Sequence, residues 1–225
     1  LPLPGNRRQH RHCLLNGQDQ TRLTFATLMK DLSDGIYHWL YEGLSLRQVG
    51  LVVGLLLVLG HAFALLRQEK ILSWLSTVPR SLNIGTFFLT ISFLLAWMVA
   101  TSMDLGEFNK ARWLAQFALP LFFVGTLFIA NDYLGARSLG IFLLLAACPV
   151  LNAALLKLPE SRLLLSTLAY GWIIVGLFWV GMPFTMRDQI AWLQAKPSRY
   201  RLLCLAGIIY GALVLAASLL YYGGA

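Results

Sequence analysis

The sequence predicts an all-α integral membrane protein of about six transmembrane helices, with an amphipathic interfacial helix before them. Composition gives the first reason: 58% of the 225 residues are hydrophobic and only 12% are charged, where a soluble domain carries about 25% charged residues. So few polar side chains cannot cover a water-facing surface, and mean hydropathy of +0.67 agrees. The second reason is six apolar runs, each near the roughly 20 helical residues that a hydrocarbon core of about 30 Å requires. Backbone groups in lipid must be satisfied within their own segment, which makes the runs helices. The alternating polarity over about ten residues that marks a membrane strand is absent.

Residues 1–20 are polar and irregular, with Arg7, Arg8, His10, Arg11 and His12 close together, and read as a disordered basic tail. No apolar region with a cleavage site follows it directly, so it does not read as a signal peptide. The chain opens on Leu1 and its first Met is Met29, as in a fragment or trimmed product. Residues 21–44 repeat apolar side chains at three- or four-residue steps: Phe25, Leu28, Leu32, Ile36, Trp39 and Leu40. With Lys30, Asp31, Asp34, His38 and Glu42 among them, this is too polar for a span. It reads either as a helix lying flat in the headgroup layer or as a small helix packed on the bundle.

The six-helix bundle occupies residues 45–225. Its spans run Leu46–Leu66, Ile84–Met103, Trp113–Ala130, Leu139–Leu156, Leu163–Met182 and Leu202–Tyr222. Ser45 with Gln48 has capping-box spacing at the first span, Asn83 stands as an N-cap for the second, and Pro183 closes the fifth. Two connections hold small amphipathic pieces. One contains Ile71, Leu72, Trp74 and Leu75. The other contains Met186, Ile190, Trp192 and Leu193, with Thr185 and Asp188 at capping-box spacing.

A net charge of +8 could mean nucleic acid in a soluble protein. Here the bases flank apolar runs, so the partner they imply is the membrane lipid headgroup and not nucleic acid. Connections one-two, three-four and five-six carry Arg67, Lys70, Arg80, Arg137, Arg187, Lys196, Arg199 and Arg201; the two opposite connections carry Lys110, Arg112, Lys157 and Arg162. Those loops alone place the termini outside. Counting Arg22, Lys30, Arg47 and the basic tail cancels the bias, so the positive-inside rule leaves orientation open. Cys13, Cys148 and Cys204 form no metal-binding spacing, and the latter two sit in apolar runs as small hydrophobes.

Apart from Arg47 at the very start, the spans hold no Asp, Glu, Lys or Arg. That argues against a carrier with an embedded carboxylate and against a retinal protein, which needs an intramembrane lysine. His61 is the ionisable side chain inside a span. It reads as a haem ligand or proton site, or as a neutral histidine bonded within the bundle; a bis-histidine haem would need a facing partner, and the other histidines lie outside the spans. Pro120 and Pro149 break spans three and four, and Asn152 follows Pro149 by one turn. Such breaks mark substrate sites in carriers and also occur in ordinary bundles. Gly50-x-x-x-Gly54 and Gly207-x-x-x-Gly211 have the spacing of close helix contacts. No catalytic, metal-binding or nucleotide-binding motif occurs, and no cofactor is implied.

The segments Trp39–Arg47, Ala136–Gly140 and Pro183–Trp192 resemble those of a group of polytopic bacterial inner-membrane proteins with no assigned function. The resemblance implies that localisation and carries over no functional residue. Two functions fit: a structural or accessory membrane component, alone, self-associated or with a membrane-protein partner; alternatively a carrier or channel for a small or lipid-like solute. The second would gain from an internal repeat. At an offset of 90, Arg47, Gly50 and Leu55 match Arg137, Gly140 and Leu145, which suggests two inverted three-span halves with a site between them.

Overall fold

The computed structural model describes residues 28, 30–104, 106–129, 132–155 and 160–222. The basic tail 1–20 and the start of the amphipathic stretch lie outside the described residues. Among those described, all regular structure is helical: α1 (Leu46–Leu66), α2 (Gln68–Thr77), α3 (Leu82–Ser102), α4 (Arg112–Ile129), α5 (Leu134–Ala154), α6 (Leu163–Gly181), α7 (Phe184–Gln194) and α8 (Pro197–Leu220). The six longer ones are apolar and long enough to cross a membrane, the fold of an all-α multi-pass membrane protein. At about 1.5 Å per residue, α1 spans about 30 Å.

Helix starts follow local chemistry. Ser45 and Gln48 cap α1 reciprocally, each side chain accepting from the other's backbone N–H. The cap of α3 is Ser81, not Asn83: its hydroxyl accepts from the Ile84 N–H at 3.3 Å. The 3-10 turn Val78–Arg80, carrying Pro79, delivers Ser81 in the extended conformation that an N-cap needs. Thr185 does not cap α7. Its hydroxyl donates to the Met182 carbonyl, and Asp188 pairs with Arg187.

α5 and α8 begin five residues before the apolar runs that mark them. Arg137, Arg199 and Arg201 look like loop residues by hydropathy, yet they lie on helix. A helix need not stop where the hydrocarbon does, and the first turns of both are held by burial of Leu134, Ala136 and Tyr200.

α1 runs along α8, and α5 is the central helix, flanked by α3 and α6. α4 packs chiefly on α3, with the Phe93 and Phe123 rings 4.9 Å apart. None of its most apolar stretch is buried. This pairing removes the internal repeat. Equivalent halves would pair α1 with α3 as α5 pairs with α6, whereas the principal partner of α1 is α8, from the other half.

Two apolar clusters hold the bundle, one at each end. At the end where α1 starts and α8 finishes, Leu46, Val53, Ala147, Leu165 and Val214 join α1, α5, α6 and α8. Two tyrosines fasten α8 to the start of α6: Tyr210 donates to the Leu164 carbonyl and Tyr222 to the Ser161 carbonyl, both at 2.7 Å. At the opposite end, Val78, Ala136, Met186 and Ile190 pack together. There α2 and α7 lie side by side, Gln194 donating to the Leu72 carbonyl.

Residues 30–37 are α-helical and His38–Glu42 form a π-turn that packs on α5. Tyr41 is buried, while Leu28, Leu32, Ile36 and Trp39 stay exposed. One end of the segment therefore docks on the bundle while its apolar face remains open.

Candidate functional site

The four small-residue positions come together at the crossing of α1 and α8. An added Cβ at Gly50 would lie 2.0 Å from Ser218 Oγ, and one at Gly54 would lie 2.8 Å from Leu215 Cγ and 3.1 Å from the Gly211 carbonyl. At Gly211 it would lie 2.9 Å from Leu57 Cβ and 3.0 Å from the Val58 nitrogen. These backbones are close enough that no side chain fits between them. His61 belongs to the same crossing. Its Nδ1 is 2.8 Å from the Leu57 carbonyl of its own helix, and its ring fills the notch left by Gly207. The imidazole is thus a packing element, with a backbone partner and a glycine floor.

Pro120 and Pro149 lie inside α4 and α5, which continue through them, and neither helix is the other's main neighbour, so the two prolines do not converge on one site. Asn152 has a definite task. Its amide donates to the Tyr41 carbonyl and ties the N-terminal segment to α5. Between that segment, α3 and α5 is a hollow of about 300 Å³, lined by Tyr37, Tyr41, Met103, Cys148, Leu151 and Asn152. Tyr41 lies outside the spans, and burial pushes its hydroxyl up to about 12, so it stays a neutral donor at physiological pH. Among the described residues no group of three His, Cys, Asp or Glu side chains could hold a metal.

Other polar side chains in the spans turn to backbone carbonyls. Thr90 bonds to Thr86, Thr101 to Trp97, Thr126 to Phe122 and Ser218 to Val214, each one turn back. Ser92 and Ser102 differ: both hydroxyls are buried and meet no protein partner, Ser92 beside a small apolar hollow between α3 and α4. A wider apolar groove of about 530 Å³ lies between α5, α6 and α8, with Leu143, Trp172, Val175, Trp179 and Tyr210 in its lining.

The sequence alone missed a cluster on the face of α2 and α7. Tyr133 sits before α5 in the left-handed region, φ 61°, an uncommon conformation for a bulky side chain that costs on the order of 1–3 kcal/mol. Its hydroxyl accepts from Arg80 Nη2 at 3.0 Å and Arg187 Nη1 at 3.2 Å. The Arg80 hydrogen bond holds its acidity above that of an ordinary phenol. Arg187 also pairs with Asp188 at 2.8 Å. The three contributing residues are more than 50 positions apart or carried on separate turns, so no local spacing announces them.

No family model matches the chain, and no curated protein or solved structure is detectably similar to it.

Proposed function

We propose that this chain is a structural or accessory component of a cell membrane, the bacterial inner membrane by the segment resemblance noted above, and not a pathway for solutes. One observation carries the reading: seven polar side chains inside the spans are committed to the protein's own backbone, against two buried hydroxyls, Ser92 and Ser102, that meet no partner. His61, Thr90, Thr101, Thr126, Asn152, Tyr210 and Ser218 all hydrogen-bond to carbonyls. A carrier needs such groups free to replace a solute's hydration shell. The α1–α8 crossing is also closed by glycine contacts. Reconstitution tests the proposal. Vesicles containing the purified chain should pass potassium, phosphate, glycerol and amino acids no faster than protein-free vesicles. Saturable flux of any of these would overturn it.

The carrier reading has one observation of its own, the hollow at Cys148 and Asn152. It is a place where a small amphipathic molecule could sit beside two phenols and a thiol. Flux that is blocked by alkylation of Cys148 in the hollow would favour it.

A further inference from the structure

Eight bases against three acids, Glu69, Asp132 and Asp188, mark the membrane face of α2 and α7. On the opposite face the described residues are near balance: Lys30, Arg47, Lys110, Arg112 and Arg162 against six acids. Within the basic face, Arg80 and Arg187 reach the same phenol oxygen from different connections. The Arg80 guanidinium also lies 5.1 Å from the centre of the Tyr133 ring. One turn into α5, Arg137 Nε is buried with no hydrogen-bond partner. The carboxylates nearby are Asp188, paired with Arg187, and Asp132, exposed beside Tyr133.

Two guanidinium groups sharing one neutral oxygen repel each other, so attraction is not what assembles them. Packing does. An added Cβ at Gly135 would lie 2.0 Å from the Val78 carbonyl, so the turn carrying Arg80 rests directly on the backbone next to Tyr133. Val78, Leu134 and Ala136 are fully buried there, and Met186 places Arg187 against the same cluster. Arg187 already gives Nε and Nη2 to Asp188 Oδ1 and Nη1 to Tyr133, so an anion would meet the remaining N–H of each of its terminal nitrogens beside the Arg80 guanidinium, planar donors that suit a tetrahedral oxyanion.

We propose that Arg80 and Arg187, positioned by Tyr133, bind the phosphate of an anionic membrane lipid. The site lies at headgroup depth, at the span ends, with Trp74 and Trp192 exposed on the two amphipathic helices beside it. An acyl chain has a place to go: Trp179 packs in the Tyr133 cluster and also lines the apolar groove between α5, α6 and α8. The inference does not depend on the absence of solute flux, because a carrier could hold such a lipid equally well.

Native mass spectrometry of the full chain in a neutral detergent tests it, with phosphatidylglycerol and phosphatidylcholine as probes. The wild type should retain phosphatidylglycerol in preference, and added salt should weaken that preference. Arg80→Gln with Arg187→Gln should reduce retention roughly tenfold, since each base contributes measurably to an anionic headgroup. Arg199→Gln, on the same face but stacked on Trp192 at 4.4 Å, should retain the lipid. Unchanged melting of the lipid-free double variant would show that it is folded. Equal retention of both lipids by the wild type overturns the proposal without any variant, as does wild-type retention by a folded double variant. Inorganic phosphate that displaces the lipid at matched concentration overturns the lipid source and leaves a soluble anion as the occupant.

Discussion

At Gly207 an added Cβ would lie 2.4 Å from His61 Cδ2, so the two residues share one space across the α1–α8 crossing. Gly207→Ala should therefore lower stability in detergent by about 1–3 kcal/mol, the usual range for overpacking. In a His61→Ala background the same change should cost much less, because the ring it strikes is gone; neighbouring sites couple in this way. An undiminished cost in that background would mean that the two do not compete. Gly60 provides the contrast. Nothing lies within 4 Å of its added Cβ, so Gly60→Ala should hold stability or raise it by up to about 1 kcal/mol through helix propensity. Thermal melts of the four variants decide both points. The spacing of Gly50, Gly54, Gly207 and Gly211 was legible in the sequence. That Gly207 faces a histidine was not, since nothing in either run gives the rotation of one helix about the other.

Two contacts tie the N-terminal segment to α5: the Asn152 bond to the Tyr41 carbonyl and the burial of the Tyr41 ring. Asn152→Ala should remove about 1 kcal/mol, the ordinary net worth of one such bond, and act mostly on the segment. Limited proteolysis within residues 30–42 should accelerate while the melting of the six long helices moves little. Equal protection in wild type and variant would mean that the bond is dispensable. Tyr41 adds a pH signature. Its hydroxyl ionises near 10 when unfolded and near 12 when docked, so the docked state takes up its charge last. The stabilisation is complete below about pH 10 and is lost as pH rises through about 12. Alkaline release of the segment, followed by proteolysis, should be shallower across that window in Tyr41→Phe. At this scale the sequence read elements better than their ends. Ser45 with Gln48 announced the start of α1, because both halves of a capping box are local. Leu134 and Pro197 did not announce α5 and α8, because hydropathy reports the lipid boundary and these helices continue past it into contacts with Val78 and with the Ala64 carbonyl, to which Tyr200 donates at 3.0 Å.

Across the whole molecule, the six spans were legible because lipid demands a long apolar run for each crossing and no tertiary context can relax that demand. Which helices touch was not, because lipid-facing and partner-facing positions are equally apolar: the exposed side of α4, with Phe117, Leu121 and Phe128, resembles a buried one in composition. The mistaken internal repeat has the same origin, since Leu-rich helices match each other at many offsets. Charge is the property that still distinguishes the two membrane faces. The face of α2 and α7 carries the excess of Arg and Lys, in short loops close to span ends, where such residues set orientation most strongly. Where the loop bases outweigh the basic tail and Arg22, reporter fusions after Ser81, Asp132 and Lys196 mark the cytoplasmic side, and fusions after Gly106 and Glu160 the opposite side. Two successive fusions reporting one side would break the six-span threading. Alternation with the reverse sign would keep the threading and place the basic face outside. Removing Arg67, Arg80, Arg187 and Arg201 together should then randomise the fusions if those bases hold the orientation, while the same number of changes among bases of the opposite face should leave it intact.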